Sequence, residues 1–248
     1  MLCVVLPAYN EEAALRKLLP RLVEVVKDYP YKIFVIDDGS TDQTAAVAEL
    51  FAGNCVTVLG HKCNRGLGEA LRTGLLAAIG QTQYDDVIVT LDSDDTHPPE
   101  IIPAMLEKIQ SGLDLVVASR FTSGGQEVGL HMHRKVLSHG AGWIMGTFFP
   151  LPGIRDYSSG FRAYRAGFLA KGFAYYGAQM FESSGFAVMV ELLLKLSMFK
   201  PRCGEVPLVL RYDRKLGKSK MPVARTIVGY LSLIVKLRKV TPPAEVEA

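Results

Sequence analysis

The stretch VIVTLDSDDTHPPE, Val87 to Glu100, joins an apolar run to a cluster of three aspartates. Its first five residues are apolar or β-branched and show no polar alternation, which is typical of a strand that is covered on both faces in a parallel sheet. Sheets of this kind bind ligands beyond the carboxyl ends of their strands. The aspartates therefore stand where a binding site is expected.

Four further segments have the same strand-like composition: LCVVLP at Leu2, KIFVID at Lys32, CVTVLG at Cys55 and DLVVAS at Asp114. Between them, apolar residues at helical spacing from Leu15 to Val26 predict a helix that Pro20 should kink or split. Residues 42–52 and 66–79 predict two more helices. Strands that alternate with helices indicate an α/β fold with an open, mostly parallel sheet flanked by helices.

Composition limits the class of protein. The chain has 248 residues, 49% hydrophobic and 21% charged, which is enough for one domain with a full core. The four cysteines show no paired spacing, so we interpret them as reduced thiols of a cytoplasmic protein. The sequence shows no signal peptide and no apolar run of the roughly 20 residues that cross a bilayer. We therefore expect no transmembrane helix.

Charge is unevenly distributed along the chain. From Lys200 to Lys239 there are eleven Lys and Arg and two acidic residues, a net charge of +9, whereas the remainder carries −6. Such a segment indicates a polyanionic partner or, alternatively, a solvated basic face. Residues 222–239 have an apolar middle between basic ends, which fits an amphipathic helix in a membrane interface or a helix in a core or dimer contact.

Polar residues follow four of the predicted strands. These are Pro7 to Glu11, Asp37 to Ser40, Asp92 to Asp94, and Ser119 with Arg120. We expect them to converge at one edge of the sheet. Asp92 and Asp94 are two residues apart, so in an extended segment both carboxylates point the same way, as two ligands of Mg²⁺ or Mn²⁺ would. The alternative is a solvated acidic turn with Asp95 or Thr96 as a helix cap.

Several ordered motifs resemble glycosyltransferase family 2. They are LPAYNEE (6–12), VIDDGSTDQT (35–44), NRGLGEALRTG (64–74) and the D-x-D of residues 92–94. Within that family the later segments HRKVLSHGA, RDYSSGFRAYR (155–165) and VPLVLRYDRKLGKSKM (206–221) resemble dolichyl-phosphate mannose synthase and related polyprenyl-phosphate sugar transferases. The resemblance implies a GT-A fold, which is a Rossmann-like, mostly parallel sheet, and a nucleotide-sugar donor.

The resemblance also implies roles for individual residues. The residues implied in nucleotide binding are Pro7, Tyr9, Asn10, Glu11 and Asp38. Asp92 and Asp94 would hold Mg²⁺ or Mn²⁺ and, with Arg120, form the candidate catalytic set. The diphosphate and the acceptor phosphate would meet Arg120, Arg134, Ser159, Arg214 and Lys220. Relatives commonly have Gln as a further metal ligand where this chain has Thr96, so Asp95 or Thr96 is the candidate for that position.

The resemblance implies that different parts of the chain bind the sugar donor and the acceptor. A catalytic domain is expected at 1–220, with the donor-binding part at about 1–120 and the acceptor part at about 121–220. A C-terminal amphipathic helix and tail would follow at 221–248. The stretch TSGGQEVG (122–129) reads as a flexible linker or lid.

The expected activity is inverting transfer of a sugar, with mannose from GDP-mannose favoured, to a polyprenyl or dolichyl phosphate. A phosphate monoester is already anionic, with a second pKa of about 6, and attacks without a base. One alternative is transfer from UDP-glucose or another sugar nucleotide to a lipid phosphate or a glycan hydroxyl; a hydroxyl would need a base such as Asp156 or Glu182. Another is a non-catalytic membrane- or nucleic-acid-binding module with a vestigial site. We expect peripheral contact with the cytoplasmic membrane face and no nucleic acid.

Overall fold

A seven-stranded sheet with helices on both faces forms the body of the molecule. The computed structural model describes residues 1–53, 55–129, 144–215, 229, 230 and 232–236. The strands in these ranges are β1 (Leu2–Ala8), β2 (Tyr31–Asp37), β3 (Val56–Gly60), β4 (Val87–Thr90), β5 (Leu115–Ser119), β6 (Gln126–Val128), β7 (Arg162–Arg165), β8 (Cys203–Pro207) and β9 (Val209–Arg211). The first five confirm the strands predicted from the sequence.

The order of strands in the main sheet is β3-β2-β1-β4-β7-β5-β8. Every neighbouring pair is parallel except those made by β7, which runs antiparallel to both β4 and β5. The mostly parallel α/β fold predicted from the sequence is thus confirmed. Strand order reverses beside β1. The chain passes from β1 to β2 and β3 on one side, and then crosses to β4 on the other side of β1. Such a reversal opens a crevice at the carboxyl edge of the sheet.

Six labelled α-helices flank the sheet within the described residues, and residues 144–148, 229, 230 and 232–236 are also helical. The labelled helices are α1 (Glu12–Val26), α2 (Thr44–Glu49), α3 (Leu67–Ile79), α4 (Ile102–Gln110), α5 (Ala166–Tyr176) and α6 (Ala187–Ser197). Pro20 was predicted to kink or split α1; the split is wrong, because the helix continues through this residue, and the kink stays a prediction. Pro20 is exposed, so water can reach the backbone carbonyl that loses its donor there. The helix α2 is shorter than the predicted 42–52.

Alternate residues of the strands face two separate cores. On β1, Cys3 and Val5 pack with α3, α5 and α6, whereas Val4 and Leu6 pack with α1 and α4. Successive side chains of a strand point to opposite faces. A strand covered on both faces must therefore be apolar at every position, which explains the continuous apolar runs in the sequence.

The predicted linker at 122–129 contains a strand instead. β6 pairs in parallel with β9 in a separate two-stranded sheet. The following Gly129 has φ of +77°, and a Cβ atom there would lie 2.7 Å from the backbone nitrogen of Asp213. Only glycine permits this close approach of the two backbones. The segment after Arg120 is therefore fixed to the segment that follows β9.

The described part of the C-terminal region is helical at 229, 230 and 232–236. Tyr230, Leu233 and Ile234 are buried in the core that contains α5 and α6, whereas Val235 is 62% exposed. One face of this segment thus packs as a core helix. Within the described ranges, no helix combines the length and the apolar character that a membrane span requires.

Candidate active site

A cavity of about 350 Å³ opens at the carboxyl edge of the sheet, beside β1 and β4. Its lining includes residues that follow β1, β2 and β4, three of the predicted strand exits. The lining residues are Pro7, Ala8, Tyr9, Glu11, Asp38, Asn64, Gly66, Leu67, Ala70, Asp92, Ser93, Asp94, Gly185, Phe186 and Lys215. The structure thus brings together Pro7, Tyr9, Glu11, Asp38, Asp92 and Asp94 from the residue set predicted from the sequence.

The loop after β1 is fastened to the loop after β2. The backbone N–H of Asn10 donates to Ser40 Oγ at 2.9 Å, and Asn10 Oδ1 accepts from the N–H of Thr41 at 2.8 Å. The N–H of Glu11 donates to Thr44 Oγ1 at 2.8 Å. Asn10, predicted to bind the nucleotide, is thus engaged in joining two loops and does not line the cavity.

Asp38 is held by hydrogen bonds at the side of the cavity. Its carboxylate accepts from the backbone N–H groups of Arg65 at 2.9 Å and Gly66 at 2.8 Å, and it contacts His61 Nδ1 at 2.7 Å. The other ring nitrogen of His61 lies 3.0 Å from Thr73 Oγ1. His61 and Thr73 were not predicted to act at the site. His61 lies between the quoted motifs, and Thr73, although it lies within NRGLGEALRTG, has no spacing that indicates a contact with His61.

Asp92 and Asp94 both line the cavity, but their surroundings differ. The backbone N–H of Asp92 donates to His97 Nδ1 at 3.2 Å, and a third of its side chain, 33%, is exposed. Asp94 Oδ1 accepts from Thr96 Oγ1 at 2.6 Å and from the Thr96 N–H at 3.1 Å. Its other oxygen, Oδ2, accepts a hydrogen bond from the Lys215 ammonium.

These surroundings shift the two carboxyl groups in opposite directions. Burial raises the pKa of Asp92, and the negative charge of Asp94 adds to that rise. Burial alone would also raise the pKa of Asp94, but the Lys215 ammonium and the Thr96 hydroxyl hold it below its usual range. The pair thus has one firmly ionised member and one that binds its proton more strongly.

The two candidates for a further metal ligand are engaged elsewhere. Asp95 Oδ1 pairs with Arg21 Nη1 at 2.6 Å, and the Thr96 hydroxyl donates to Asp94. Neither residue lines the cavity. A role for Asp95 as a further metal ligand stays a prediction, and in the described structure its carboxylate is paired with the Arg21 guanidinium. Thr96 instead supports Asp94.

Arg120, predicted to be catalytic, lies in a buried ion-pair network. Its Nε and Nη2 donate to Asp156 at 2.7 Å each, Nη2 also reaches Ser158 at 2.7 Å, and Nη1 reaches Glu127 at 3.1 Å. Arg120 is not among the residues that line the cavity. Its described contacts are thus with the protein itself, and a phosphate-binding role stays a prediction.

Of the four remaining predicted phosphate ligands, Ser159 and Arg214 lie within the described residues, and neither lines the cavity. Ser159 is buried, its N–H donates to Asp156 Oδ1 at 3.1 Å, and its Oγ has no hydrogen-bond partner among the described residues. Arg214 ends the short 3₁₀ turn directly before Lys215. Arg134 and Lys220 lie outside the described residues.

The wall formed by Gly185 and Phe186 is held by a buried ion pair of α6. Lys195 Nζ lies 2.7 Å from Glu191 Oε1 and 3.0 Å from Glu182 Oε2, and Lys195 and Glu191 are 2% and 1% exposed. Glu191 also accepts from the N–H groups of Glu182 and Ser183, at 3.0 Å and 2.8 Å. These bonds tie the loop before α6 to the helix.

Comparison with known proteins identifies the family. The sequence pattern of glycosyl transferase family 2 matches residues 3–173. The chain belongs to this family. As a family 2 glycosyltransferase it is an enzyme, and solved structures of similar fold include glucosyl-3-phosphoglycerate synthase from Mycobacterium tuberculosis in complex with Mn²⁺, UDP and phosphoglyceric acid. That match has a TM-score of 0.66 at 21% identity, covering 94% of this chain and 78% of the other. The predicted GT-A fold is confirmed.

Three curated relatives of this family 2 glycosyltransferase transfer mannose according to their names. A dolichol-phosphate mannosyltransferase of Pyrococcus furiosus is 35% identical over 95% of this chain, which spans 63% of that relative's length. An undecaprenyl-phosphate mannosyltransferase of Micrococcus luteus is 33% identical, with 88% of this chain and 86% of the relative covered. A polyprenol monophosphomannose synthase of Mycolicibacterium smegmatis is 31% identical, with 88% and 80% covered.

Proposed function

We propose that this family 2 glycosyltransferase moves mannose, with inversion, from a nucleoside-diphosphate mannose to a polyprenyl phosphate, and that GDP-mannose is the donor. Support comes from the three relatives, all named for mannose transfer to a polyprenyl or dolichyl phosphate and 31–35% identical to this chain. In this proposal Pro7, Tyr9, Glu11 and Asp38 contact the nucleotide from the loops after β1 and β2, and Asn10 and Thr41 hold those loops together.

Asp92 and Asp94 fit a divalent cation as its protein ligands. Mg²⁺ is commonly held by one or two carboxylates, with substrate phosphates in the remaining positions. The two carboxylates line one cavity, and in the described residues no cluster of three or more His, Cys, Asp and Glu side chains offers a fuller protein shell. A bound cation would stabilise the negative charge of the departing nucleoside diphosphate. The Thr96 hydroxyl and N–H fix the carboxylate of Asp94 for this task.

The observation that carries the choice of acceptor is the position of the two candidate bases. Asp156 is fully buried and paired with Arg120, and Glu182 is paired with Lys195. Neither carboxylate lines the cavity, where a hydroxyl acceptor would need a base. A phosphate monoester supplies its own negative charge, because its second pKa is about 6. It requires cations that offset its charge, and in this proposal Arg120, Arg134, Arg214 and Lys220 are the candidates, with Ser159 as a candidate hydrogen-bond donor.

A transfer assay with the purified full chain tests the proposal. The protein is incubated with Mn²⁺, radiolabelled GDP-mannose or UDP-glucose, and either a short polyprenyl phosphate or free mannose oligosaccharides. We expect label in the polyprenyl phosphate from GDP-mannose, and a product whose anomeric configuration, read by NMR, is opposite to that of the donor. Labelled oligosaccharide without labelled lipid would contradict the proposed acceptor, and transfer from UDP-glucose alone would contradict the donor.

A lipid acceptor also requires access to a membrane surface. The basic segment 200–239, with its net charge of +9, supports peripheral contact with an anionic bilayer on the cytoplasmic face. Its described part buries Tyr230, Leu233 and Ile234 in the core, so the outward side of that helix, with Val235 and Lys236, is the side that would meet the lipid.

A further inference from the structure

Lys215 is a cation in the lining of the cavity, and it is not among the residues to which the family resemblance assigns a role. It follows the 3₁₀ turn Tyr212–Arg214, and its ammonium is hydrogen-bonded to Asp94 Oδ2. The Lys215 side chain is 14% exposed. Among the described residues that line the cavity, Lys215 is the only Lys or Arg. Asp92 and Asp94 line the same cavity.

The backbone around Lys215 is fixed to the strand end that carries Asp94. The N–H of Arg211, at the end of β9, donates to the carbonyl oxygen of Thr96 at 2.9 Å. The N–H of Lys215 donates to the carbonyl oxygen of Tyr212 at 3.2 Å, which closes the turn. Because both ends of the ion pair belong to connected backbone segments, the contact between Lys215 and Asp94 follows from the fold.

Asp94 offers one carboxylate oxygen to two kinds of cation. Oδ1 already accepts two hydrogen bonds from Thr96, and Oδ2 accepts one from the Lys215 ammonium. A divalent cation that binds Asp94 through Oδ2 must displace the ammonium, because two positive charges repel strongly at this separation in a partly buried site. Lys215 and the metal thus compete for one ligand.

The displaced ammonium stays within reach of the same cavity. A lysine has a flexible four-carbon stem and three donors, so it can turn from a carboxylate to a phosphate without any change in the backbone. Once the metal has taken Asp94, the ammonium has lost its anionic partner. A nucleoside diphosphate that binds together with the metal supplies a new one. The exchange leaves Asp94 next to a cation both before and after the donor binds.

We propose that Lys215 is a mobile counter-ion of this site: it neutralises Asp94 before the donor binds, yields Asp94 to the metal, and then binds the donor diphosphate. The inference rests on the proposed function for the presence of a diphosphate and a metal. It depends on neither the sugar nor the acceptor.

Metal and nucleotide binding to the purified full chain test this role. Lys215→Met removes the ammonium at nearly the same side-chain volume, and Lys108→Met, at the exposed end of α4, is the matched control. Free Mn²⁺ is measured by electron paramagnetic resonance without nucleotide, and GDP or UDP binding is measured by calorimetry at saturating Mn²⁺. We expect Lys215→Met to bind Mn²⁺ alone about fivefold or more tighter than wild type, and the nucleoside diphosphate about fivefold or more weaker. Lys108→Met should match wild type in both.

The opposite signs of the two effects distinguish this role from a merely structural ion pair. If Lys215→Met binds Mn²⁺ no more tightly than wild type, including the case in which neither protein binds it, competition is ruled out and the proposal is overturned. Unchanged nucleotide affinity overturns it equally. The proposed function fails by a separate result, namely that wild type binds neither GDP nor UDP with Mn²⁺ and transfers no sugar.

Discussion

Asp92 and Asp94 have the same side chain, but their neighbours make different contacts with the two carboxylates. Asp94 is fixed by Thr96 and Lys215 through both carboxylate oxygens, whereas burial raises the pKa of the partly exposed Asp92. A group with a raised pKa gains most from a nearby cation, because the cation favours its charged form. Asp92 is therefore the member of the pair whose ionisation should depend most on the metal.

Replacing Asp92 tests its role in catalysis at the residue scale. Asp92→Asn keeps the shape of the side chain but removes the negative charge that would hold a metal. We expect transfer to fall about 100-fold or more, since the stabilisation of charge on the leaving group is lost. Steady-state kinetics with GDP-mannose and polyprenyl phosphate measure the change. Asp28→Asn, at an exposed position after α1, is the control; near-normal turnover in Asp92→Asn would contradict a metal role.

Asp156 provides a prediction about stability and pH. Burial alone would raise its pKa, but the Arg120 guanidinium holds the pKa of Asp156 below its usual range. A lowered folded-state pKa contributes stability above the unfolded-state pKa of about 3.9, and this contribution is lost as pH falls through the folded value. We therefore expect urea unfolding to show that Asp156→Asn is about 3–5 kcal/mol less stable at pH 7.

The same variant should show a smaller further loss of stability than wild type as pH falls below about 4, because it has no carboxylate to protonate at that position. Asp28→Asn is again the control and should stay within about 0.5 kcal/mol of wild type. A variant that matches wild type at pH 7 would contradict the structural role of the Arg120 network.

The sequence was informative for residues at strand ends and uninformative for those that act from a distance. Asp38, Asp92 and Asp94 could be located because the end of an apolar run marks a position at the edge of the sheet. Arg120 was located by the same logic, but its side-chain partner Asp156 lies 36 residues away in the chain, and spacing does not reveal such a pair. Lys215 was one of several basic residues in its segment, and only the fold selects it.

At the scale of elements, α6 contributes an ion pair whose loss should be costly. Lys195 and Glu191 lie one helical turn apart, both buried, and together bind the loop that carries Gly185 and Phe186. Such a pair is expensive to break on one side only, because the remaining charge stays buried without a partner. The pair thus couples the stability of α6 to the shape of the cavity wall.

Lys195→Met removes one partner and leaves Glu191 buried. We expect the free energy of unfolding to fall by about 3–5 kcal/mol, measured by urea denaturation at pH 7. Lys17→Met, at an exposed position on α1, should change it by no more than about 0.5 kcal/mol. Equal stability of the two variants would mean that the buried pair contributes nothing beyond a surface lysine.

The first five strands could be predicted because each contains a run of apolar or β-branched residues without polar alternation. The strands β6 to β9 were missed. β6 and β9 have three residues each, β7 reads RAYR, β8 reads CGEVP, and all four depend on partners distant in the chain. The predicted split at Pro20 was wrong, because a proline disrupts a helix less where the freed carbonyl faces water. Local pattern thus predicts an element only when its environment is uniform along its length.

At the scale of the whole molecule, the charge asymmetry predicts salt-sensitive membrane binding. Flotation with vesicles that contain phosphatidylglycerol measures it. Each cation near an anionic surface contributes about 1 kcal/mol at low salt, so reversing Lys236, Arg238 and Lys239 to Glu should weaken binding about 100-fold or more. The same reversal at Lys17, Lys27 and Lys108 is the control. No binding of wild type at low salt would exclude the proposed membrane contact.

The place of β7 has a consequence for synthesis on the ribosome. β4 and β5 both pair with β7 and not with each other, although β7 begins at Arg162, 43 residues after β5 ends at Ser119. The nascent chain can therefore pair β1, β2, β3 and β4 with one another early. β5 has no pairing partner until β7, which ends at Arg165, has left the exit tunnel. Until then, the edge of β4 and the edge of β5 that later pair with β7 can form hydrogen bonds with other chains. A chaperone that binds unpaired strands would therefore prevent the most aggregation during this interval.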